Sequence, residues 1–292
     1  MRVTDGMRQT SLVRTLDQLS QAQQDASNRA LTGNRVNKPS DDPAAAAELA
    51  RIRASSAQAD AGLKAASSAE NDLTLSESVL AQANDLFTNA RELAEQGANA
   101  SLDANTRADL AKQVGQLKQQ LVSIANTKGQ NGYLFGGSQT QTQPFDANGN
   151  FSGDDDAHMV DLGTGTPTAV NVSGARAFTT AGGLDVFDQL DQLQNALNAN
   201  DQTAISGTFA GLEAARQQVV GVQTDAGLRI DQMQTTEDVL TQAKTVLASR
   251  QHDVAGADQY QAYSDLVTLG QSLEQAVGVA KQVLNVGGMT QS

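Results

Sequence analysis

The chain has 292 residues, with 20 Lys and Arg against 33 Asp and Glu, a formal net charge of −13, two His, and neither Cys nor Trp. The missing cysteine excludes a disulfide framework, a thiolate nucleophile, an iron–sulfur cluster and a cysteine zinc site, and the acidic balance opposes the phosphate backbone of nucleic acid. No apolar run approaches the roughly 20 residues of a bilayer-spanning helix, and aromatic residues at 3% with abundant Ala, Gln, Asp and Ser suit long thin helices better than a thick core.

The opening Met1-Arg2-Val3-Thr4-Asp5-Gly6-Met7 leads into neither an apolar core nor a small-residue cleavage site, so a cleavable secretory signal is not expected. Export by another machine stays open. Leu12, Leu16, Leu19, Gln23, Ala26 and Ala30 then step by 4, 3, 4, 3, 4, the period of an amphipathic helix. Thr32-Gly33-Asn34 ends it, with Gly33 as a left-handed cap. Ser40, Asp41 and Asp42 precede Pro43, where an acidic cap and a proline in the first turn mark a second helix start. That helix is predicted from Pro43 to Gln96, roughly 80 Å at 1.5 Å per residue, with Leu49, Ile52, Ser56, Ala59, Leu63, Ala66, Leu73, Leu80 and Phe87 along its seam. A third helix lies between Asn105 and Asn126, through Leu110, Val114, Leu117, Leu121 and Ile124.

The middle of the chain is a different material. Eleven of the 25 glycines lie between Lys128 and Gly183, two of the four prolines are Pro144 and Pro167, and six of the ten aromatics run from Tyr133 to Phe187. The short runs Val160-Asp161-Leu162 and Ala169-Val170-Asn171-Val172 read as strands in hairpins. Helical spacing resumes after them. One series runs from Ile205 to Val254 through Phe209, Leu212, Val219, Ala226, Ile230, Met233, Leu240 and Leu247; the other through Tyr263, Leu266, Gly270, Leu273, Val277, Ala280 and Leu284. Spacing of 3 and 4 sustained this long favours helices packed side by side, as in coiled coils. The order mirrors itself about the β-rich insert, so the chain is expected to fold back with its termini together and the insert at the far end of a rod.

Catalytic patterns are weak. His158 and His252 fall in different regions with no metal-binding spacing, and Gly163-Thr164-Gly165-Thr166-Pro167 ends in proline where a phosphate loop would open a helix. Asp146-Ala147-Asn148-Gly149-Asn150 begins like a calcium loop, but Phe151 stands at the glycine position and Ala157 at the position of the bidentate glutamate. A turn is the simpler reading. The acids Asp154 to Asp156 are the sole support for a metal-dependent hydrolase in the insert. The terminal arms, residues 1–35 and 256–292, are different: a thin helix with one narrow stripe buries little by itself. Leu12, Leu16, Leu19, Leu266, Leu273, Val277 and Leu284 are therefore expected to form an assembly interface with neighbouring chains.

Leu31-Thr32-Gly33-Asn34-Arg35-Val36-Asn37-Lys38-Pro39-Ser40-Asp41-Asp42-Pro43-Ala44, with the helix before it, resembles the N-terminal region of bacterial flagellins and their relatives, and within them the hook-associated protein 3 branch more than filament flagellin. Ala125-Asn126-Thr127-Lys128-Gly129-Gln130-Asn131-Gly132-Tyr133-Leu134-Phe135-Gly136-Gly137, followed by Pro144-Phe145-Asp146, is similar to the segment where that family's helices pass into its β region. The ending Gly287-Gly288-Met289-Thr290-Gln291-Ser292 departs from the family's apolar finish.

The resemblance implies a mainly α fold of long antiparallel helices with a small β-rich insert, divided into a terminal coiled-coil domain (1–40 with 256–292), a helical rod domain (41–135 with 184–255) and a small outer β domain (136–183). It implies a structural, non-enzymatic part of the flagellum at the hook–filament junction, with a filament subunit as the alternative. It also implies export through the flagellar type III route, the chain passing unfolded and its terminal arms ordering only on assembly. The implied partners are copies of the chain in a ring, neighbouring hook-associated and flagellin subunits, and an export chaperone at the C-terminal helix. No cofactor, metal, nucleic acid or membrane is implied.

Overall fold

The computed structural model describes residues 2–163 and 165–289, with side-chain burial described for residues 7, 10–163 and 165–282. In chain order the elements are α1 (Arg2–Thr32), α2 (Pro43–Gly97), α3 (Ala104–Ala125), β1 (Met159–Asp161), β2 (Pro167–Ala169), α4 (Gly174–Phe178), a 3₁₀ turn (Thr180–Gly182), α5 (Val186–Asn198), α6 (Gln202–Gly207), α7 (Phe209–Ala255) and α8 (Gln259–Met289). Helices account for 73% of the chain, which places it in the mainly α class with a small β insert. It forms two compact units: a terminal unit of residues 1–57 and 243–292, and a central unit of residues 58–242. Both divisions fall inside a helix, α2 and α7.

In the central unit, α2 and α7 run antiparallel. Gln234 Nε2 donates to Glu70 Oε1 (2.7 Å), Arg216 Nη1 to Asn84 Oδ1 (3.2 Å), and Arg91 Nη1 pairs with Glu213 Oε2 at 3.3 Å. Along this pairing α2 buries Ala66, Ala69, Leu73, Leu80, Ala83, Phe87, Ala90 and Ala94, and α7 buries Leu212, Ala215, Val219, Val222, Ala226 and Met233. Alanine fills many of these positions, and small side chains let long helices lie close with little volume between them. α3 and α5 also run antiparallel, with Lys118 Nζ on Asp191 Oδ2 at 2.6 Å. Asp103 caps α3 through the Thr106 amide, and Asp185 caps α5 through the amides of Phe187 and Asp188.

The aromatic-rich middle makes the thickest part of this core. Phe145 sits among Phe151, Phe178 and Phe187 with ring centroids at 5.0, 5.5 and 5.5 Å, and Phe135 meets Phe178 edge-on at 5.3 Å. Such offset and edge contacts are the favoured aromatic geometries. The strand content is lower than the composition suggests. β1 and β2 form one antiparallel hairpin of three residues each, pairing Met159 with Ala169, Val160 with Thr168 and Asp161 with Pro167. Ala169 is the last strand residue, so Val170 to Val172 lie beyond it, and the rest of the insert is turns, two isolated bridges and the short α4. Proline at Pro167 and glycines at positive φ (Gly163 +82°, Gly165 +79°) keep the pairing short.

Candidate assembly interface

The first family-like motif builds the corner of the terminal unit. Gly33 takes φ +67°, ending α1 in the left-handed conformation that glycine adopts without strain. The next residues pair with the turn between α7 and α8: the Arg35 amide donates to the Ala255 carbonyl (2.6 Å) and the Ala257 amide to the Gly33 carbonyl (2.9 Å), around an Asn34–Gly256 bridge. Val36 is buried with Leu49 and Ala255 beneath it. Asp42 caps α2 by accepting from the Ala45 amide (3.0 Å), and its other oxygen takes Arg35 Nη1 (3.0 Å). Asp41 Oδ2 accepts the amides of Asn37 (3.0 Å) and Lys38 (2.8 Å). Hydrogen bonds from the Lys38 and Ala45 amides respectively are the main reason that both carboxyls lie below the usual aspartate range.

This corner sets α1 antiparallel to α8 and in contact with it: Gly33 lies beside Gln259, and Gln23 beside Gly270. Covered positions of α1 include Leu12, Leu16, Leu19, Gln23, Ala26 and Ala30, the series that the spacing predicts; the leucines and Gln23 are half-buried and the two alanines buried. On α8 the covered apolar side chains are Ala262, Leu266, Leu269, Leu273, Ala276 and Ala280. Leu266, Leu273 and Ala280 belong to the predicted stripe, and Gly270 is half-buried with them. Tyr263 and Val277 do not face inward: they stand one residue further round, 56% and 37% exposed. Leu284 and the atypical ending lie outside the residues whose side chains are described.

That one-residue offset creates a second surface. Each residue turns about 100° around a helix. Because the pair is antiparallel, positions one residue after the contact stripe fall on the same side of both helices. Val13 and Leu31 occupy them on α1, and Tyr260, Tyr263, Val267 and Val277 on α8. All six are exposed, Leu31 at 81% and Tyr260 at 92%. A single side of the pair thus carries a row of large apolar groups.

The second family-like motif explains itself in the central unit. Asn126, at the C-terminus of α3, accepts the Phe145 amide on Oδ1 (3.0 Å) and donates through Nδ2 to the Phe145 carbonyl (2.9 Å), so one side chain fixes Phe145 in the aromatic cluster. Asp72 of α2 accepts the Gln130 amide (2.8 Å) and Asn131 Nδ2 (3.0 Å), holding the following loop. Neither Asn126 nor Asp72 shows its role by spacing, because each partner is remote in sequence.

Asp146, Asp154 and Asp155 of the insert serve as turn fasteners. Asp146 accepts the Asn148 amide (2.8 Å), the Asn150 amide (2.9 Å) and Asn150 Nδ2 (2.7 Å). Asp154 accepts the Ser138 amide (2.7 Å) and hydroxyl (2.6 Å). The Asn150 and Ser138 side chains lead the interactions that hold both carboxyls below the usual range. Asp155 takes the Ser173 hydroxyl and Arg176. Both histidines are exposed. Among the described residues no group of three or more His, Asp or Glu is placed to hold a metal, and no helix is long and apolar enough to cross a membrane.

Comparison with known proteins finds likenesses over part of the chain. The bacterial flagellin N-terminal helical region matches residues 3–140. Flagellar hook-associated protein 3 of Escherichia coli is 28% identical over 232 residues, covering 71% of this chain and 73% of that protein. The protein of the same name from Salmonella typhimurium gives the same identity and coverage. Among solved structures, flagellar hook-associated protein 3 of Legionella pneumophila aligns with a TM-score of 0.63 at 19% identity, over 70% of this chain and 98% of that one. FlgL of Bacillus cereus aligns at 0.59 and 23% identity, over 69% of this chain and 99% of that one.

Proposed function

We propose that this chain, a member of the bacterial flagellin family related to flagellar hook-associated protein 3, is a structural component of the flagellum that joins the hook to the filament. The observation that carries the assembly mechanism is the incomplete burial of the terminal pair. Leu12, Leu16, Leu19, Leu266 and Leu273 remain half-exposed with α1 and α8 in contact, and a further apolar row lies open beside them. A helix pair that leaves so much apolar surface in water gains by covering it with neighbouring copies. Leu12, Leu16, Leu19, Leu266, Leu273, Val277 and Leu284 are the proposed assembly residues, packing as a coiled coil that neighbouring copies complete.

The role is proposed to be structural, and Asp146, Asp154 and Asp155, the acids of the insert that a metal-dependent site would use, are engaged by amides, hydroxyls and Arg176. The three-part division of the chain (1–40 with 256–292; 41–135 with 184–255; 136–183) is proposed to separate assembly, spacing and outer surface. The partners are proposed to be copies of the chain in a ring, hook-associated and flagellin neighbours along the axis, and an export chaperone at α8, where Tyr260, Tyr263 and Val267 are accessible before assembly. Export through the flagellar type III route completes the reading.

Deleting the gene in its host tests it. Hooks that lack filaments, with flagellin lost to the medium, are the expected result; normal filaments would remove the junction role. Growth of long filaments from the purified, seeded chain would instead support the filament-subunit alternative.

A further inference from the structure

An asparagine followed by glycine is open to attack by its own backbone, because no Cβ on the glycine shields the nitrogen between them. The chain has two such pairs, Asn131-Gly132 and Asn148-Gly149. Both asparagines are exposed, but their surroundings differ. The Gly149 amide donates to the Asp146 carbonyl (3.1 Å), and Gly149 is buried where an added Cβ would meet the Phe187 ring. The Asp146 carboxylate accepts the amides on either side, from Asn148 (2.8 Å) and Asn150 (2.9 Å). Moving that backbone breaks these bonds and presses on the aromatic cluster. The Gly132 amide, by contrast, has no acceptor among the described residues, and Gly132 is half-buried at φ +126°. Asn131 is held by its side chain instead: Nδ2 donates to Asp72 Oδ2 (3.0 Å) and to Ser68 Oγ (3.1 Å), both bonds exposed. Turning the side chain releases them and leaves the backbone in place.

We propose that Asn131 is a site of spontaneous deamidation, and that the reaction unfastens the loop after α3 from α2. The Gly132 nitrogen attacks the side-chain carbonyl carbon of Asn131. A C–N bond forms there, the bond to Nδ2 breaks, and the Gly132 amide proton leaves with Nδ2 as ammonia. Water then opens the resulting cyclic imide at either carbonyl, giving aspartate or isoaspartate. Nothing is oxidised or reduced, and water is the co-reactant. Either product puts a carboxylate where an amide had donated to Asp72, so two donor bonds are lost and two like charges face each other. Asp72 also accepts the Gln130 amide (2.8 Å), so the repulsion acts on the fastening of the whole turn. Isoaspartate adds a main-chain carbon inside the turn that the Gly129 amide closes on the Gly132 carbonyl (2.8 Å). This inference stands apart from the junction reading.

Incubation of the full-length chain at mildly alkaline pH, followed by peptide mapping in a mass spectrometer, tests it. Asn131 should gain the mass of an amide turned to an acid at least ~5-fold faster than Asn148, the order of effect that one intact backbone hydrogen bond imposes. In concentrated urea, where the fold no longer distinguishes the two glycines, the rates should converge. Equal rates in the folded chain, faster reaction at Asn148, no reaction at Asn131, or a ratio that survives in urea overturns the assignment. Asn131→Asp reads the consequence without the wait. In native-state hydrogen exchange its Gln130 amide should exchange ~10-fold faster than in the unsubstituted chain, with the helical circular dichroism unchanged. Unchanged protection at Gln130 overturns the unfastening, as does a loss of helix, which would show that the effect is not confined to the loop.

Discussion

Arg107 shows how much one side chain can organise. It is 5% exposed, yet no carboxylate faces it among its hydrogen-bond partners. Its Nε donates to the Gly97 carbonyl (2.7 Å) and Nη2 to the Asn99 carbonyl (2.8 Å), while Nη1 reaches Asn200 Oδ1. The guanidinium therefore closes the C-terminal end of α2, where carbonyls lack helical partners and the dipole favours a cation. It also ties down Asn200, which sits at φ +53°, a conformation that asparagine tolerates better than most residues. Arg107→Ala is expected to destabilise the protein by about 1–3 kcal/mol in urea unfolding, because it strands the carbonyl of buried Gly97. Arg107→Lys should fail to rescue it, since one ammonium cannot serve three diverging acceptors. Glu237 behaves in the opposite sense. Its Oε1 is buried without a hydrogen-bond partner, and burial, then the charges of Glu70 and Asp238, push its carboxyl up. A raised carboxyl favours the folded state while protonated, and that advantage is lost as pH rises through its folded value. Glu237→Gln is therefore expected to raise the melting temperature at pH 7 and to leave it unchanged below the pH at which glutamate protonates in the unfolded chain.

Individual elements depend on a few turn positions. At Gly33 an added Cβ would find nothing closer than Gln259 at 3.8 Å, so the cost of Gly33→Ala is one of backbone conformation alone. It should be about 1 kcal/mol, with Gly33→Asn closer to neutral. Amide hydrogen exchange at the last turn of α1 reads the difference directly. Gly149, at φ +94°, is more constrained: a Cβ there would meet the Phe187 ring. Gly149→Ala should loosen the five-phenylalanine cluster and lower the melting temperature more than Gly33→Ala does, because strain and overpacking add.

At the scale of the whole molecule, the two apolar stripes of the terminal pair make distinguishable predictions. Leu16→Asp or Leu273→Asp puts a charge between α1 and α8 and should both loosen the pair and block assembly, leaving the central unit's unfolding unchanged. Tyr263→Asp with Val267→Asp changes only exposed positions. The isolated chain should keep its helical signal in circular dichroism while assembly falls. Equal loss of helix in both variants would show that the exposed row is structural to the pair.

The sequence alone carried the helices, their long 3–4 spacing, the capped corner at Gly33 and Asp42, and the distinct middle, because helix propensity, caps and turn residues act over a few neighbours. It also carried the likeness to flagellar hook-associated protein 3, through contiguous motifs. It overestimated the strands, since Gly and Asn mark turns without saying whether strands or side-chain fasteners join them. It could not single out Arg107, Asn126 or Gln218, which donates to the carbonyls of Ala177, Thr179 and Leu184 from the far side of the core. Nor could spacing decide between Tyr263 and Ala262 as the inward position of α8, because stripes one residue apart have the same period. Only the antiparallel packing of α1 on α8 chose Ala262, Leu266, Leu269 and Leu273 as the covered face, and so left Tyr263, Val267 and Val277 to the solvent. Periodicity is a property of one helix; which phase is buried is a property of the pair.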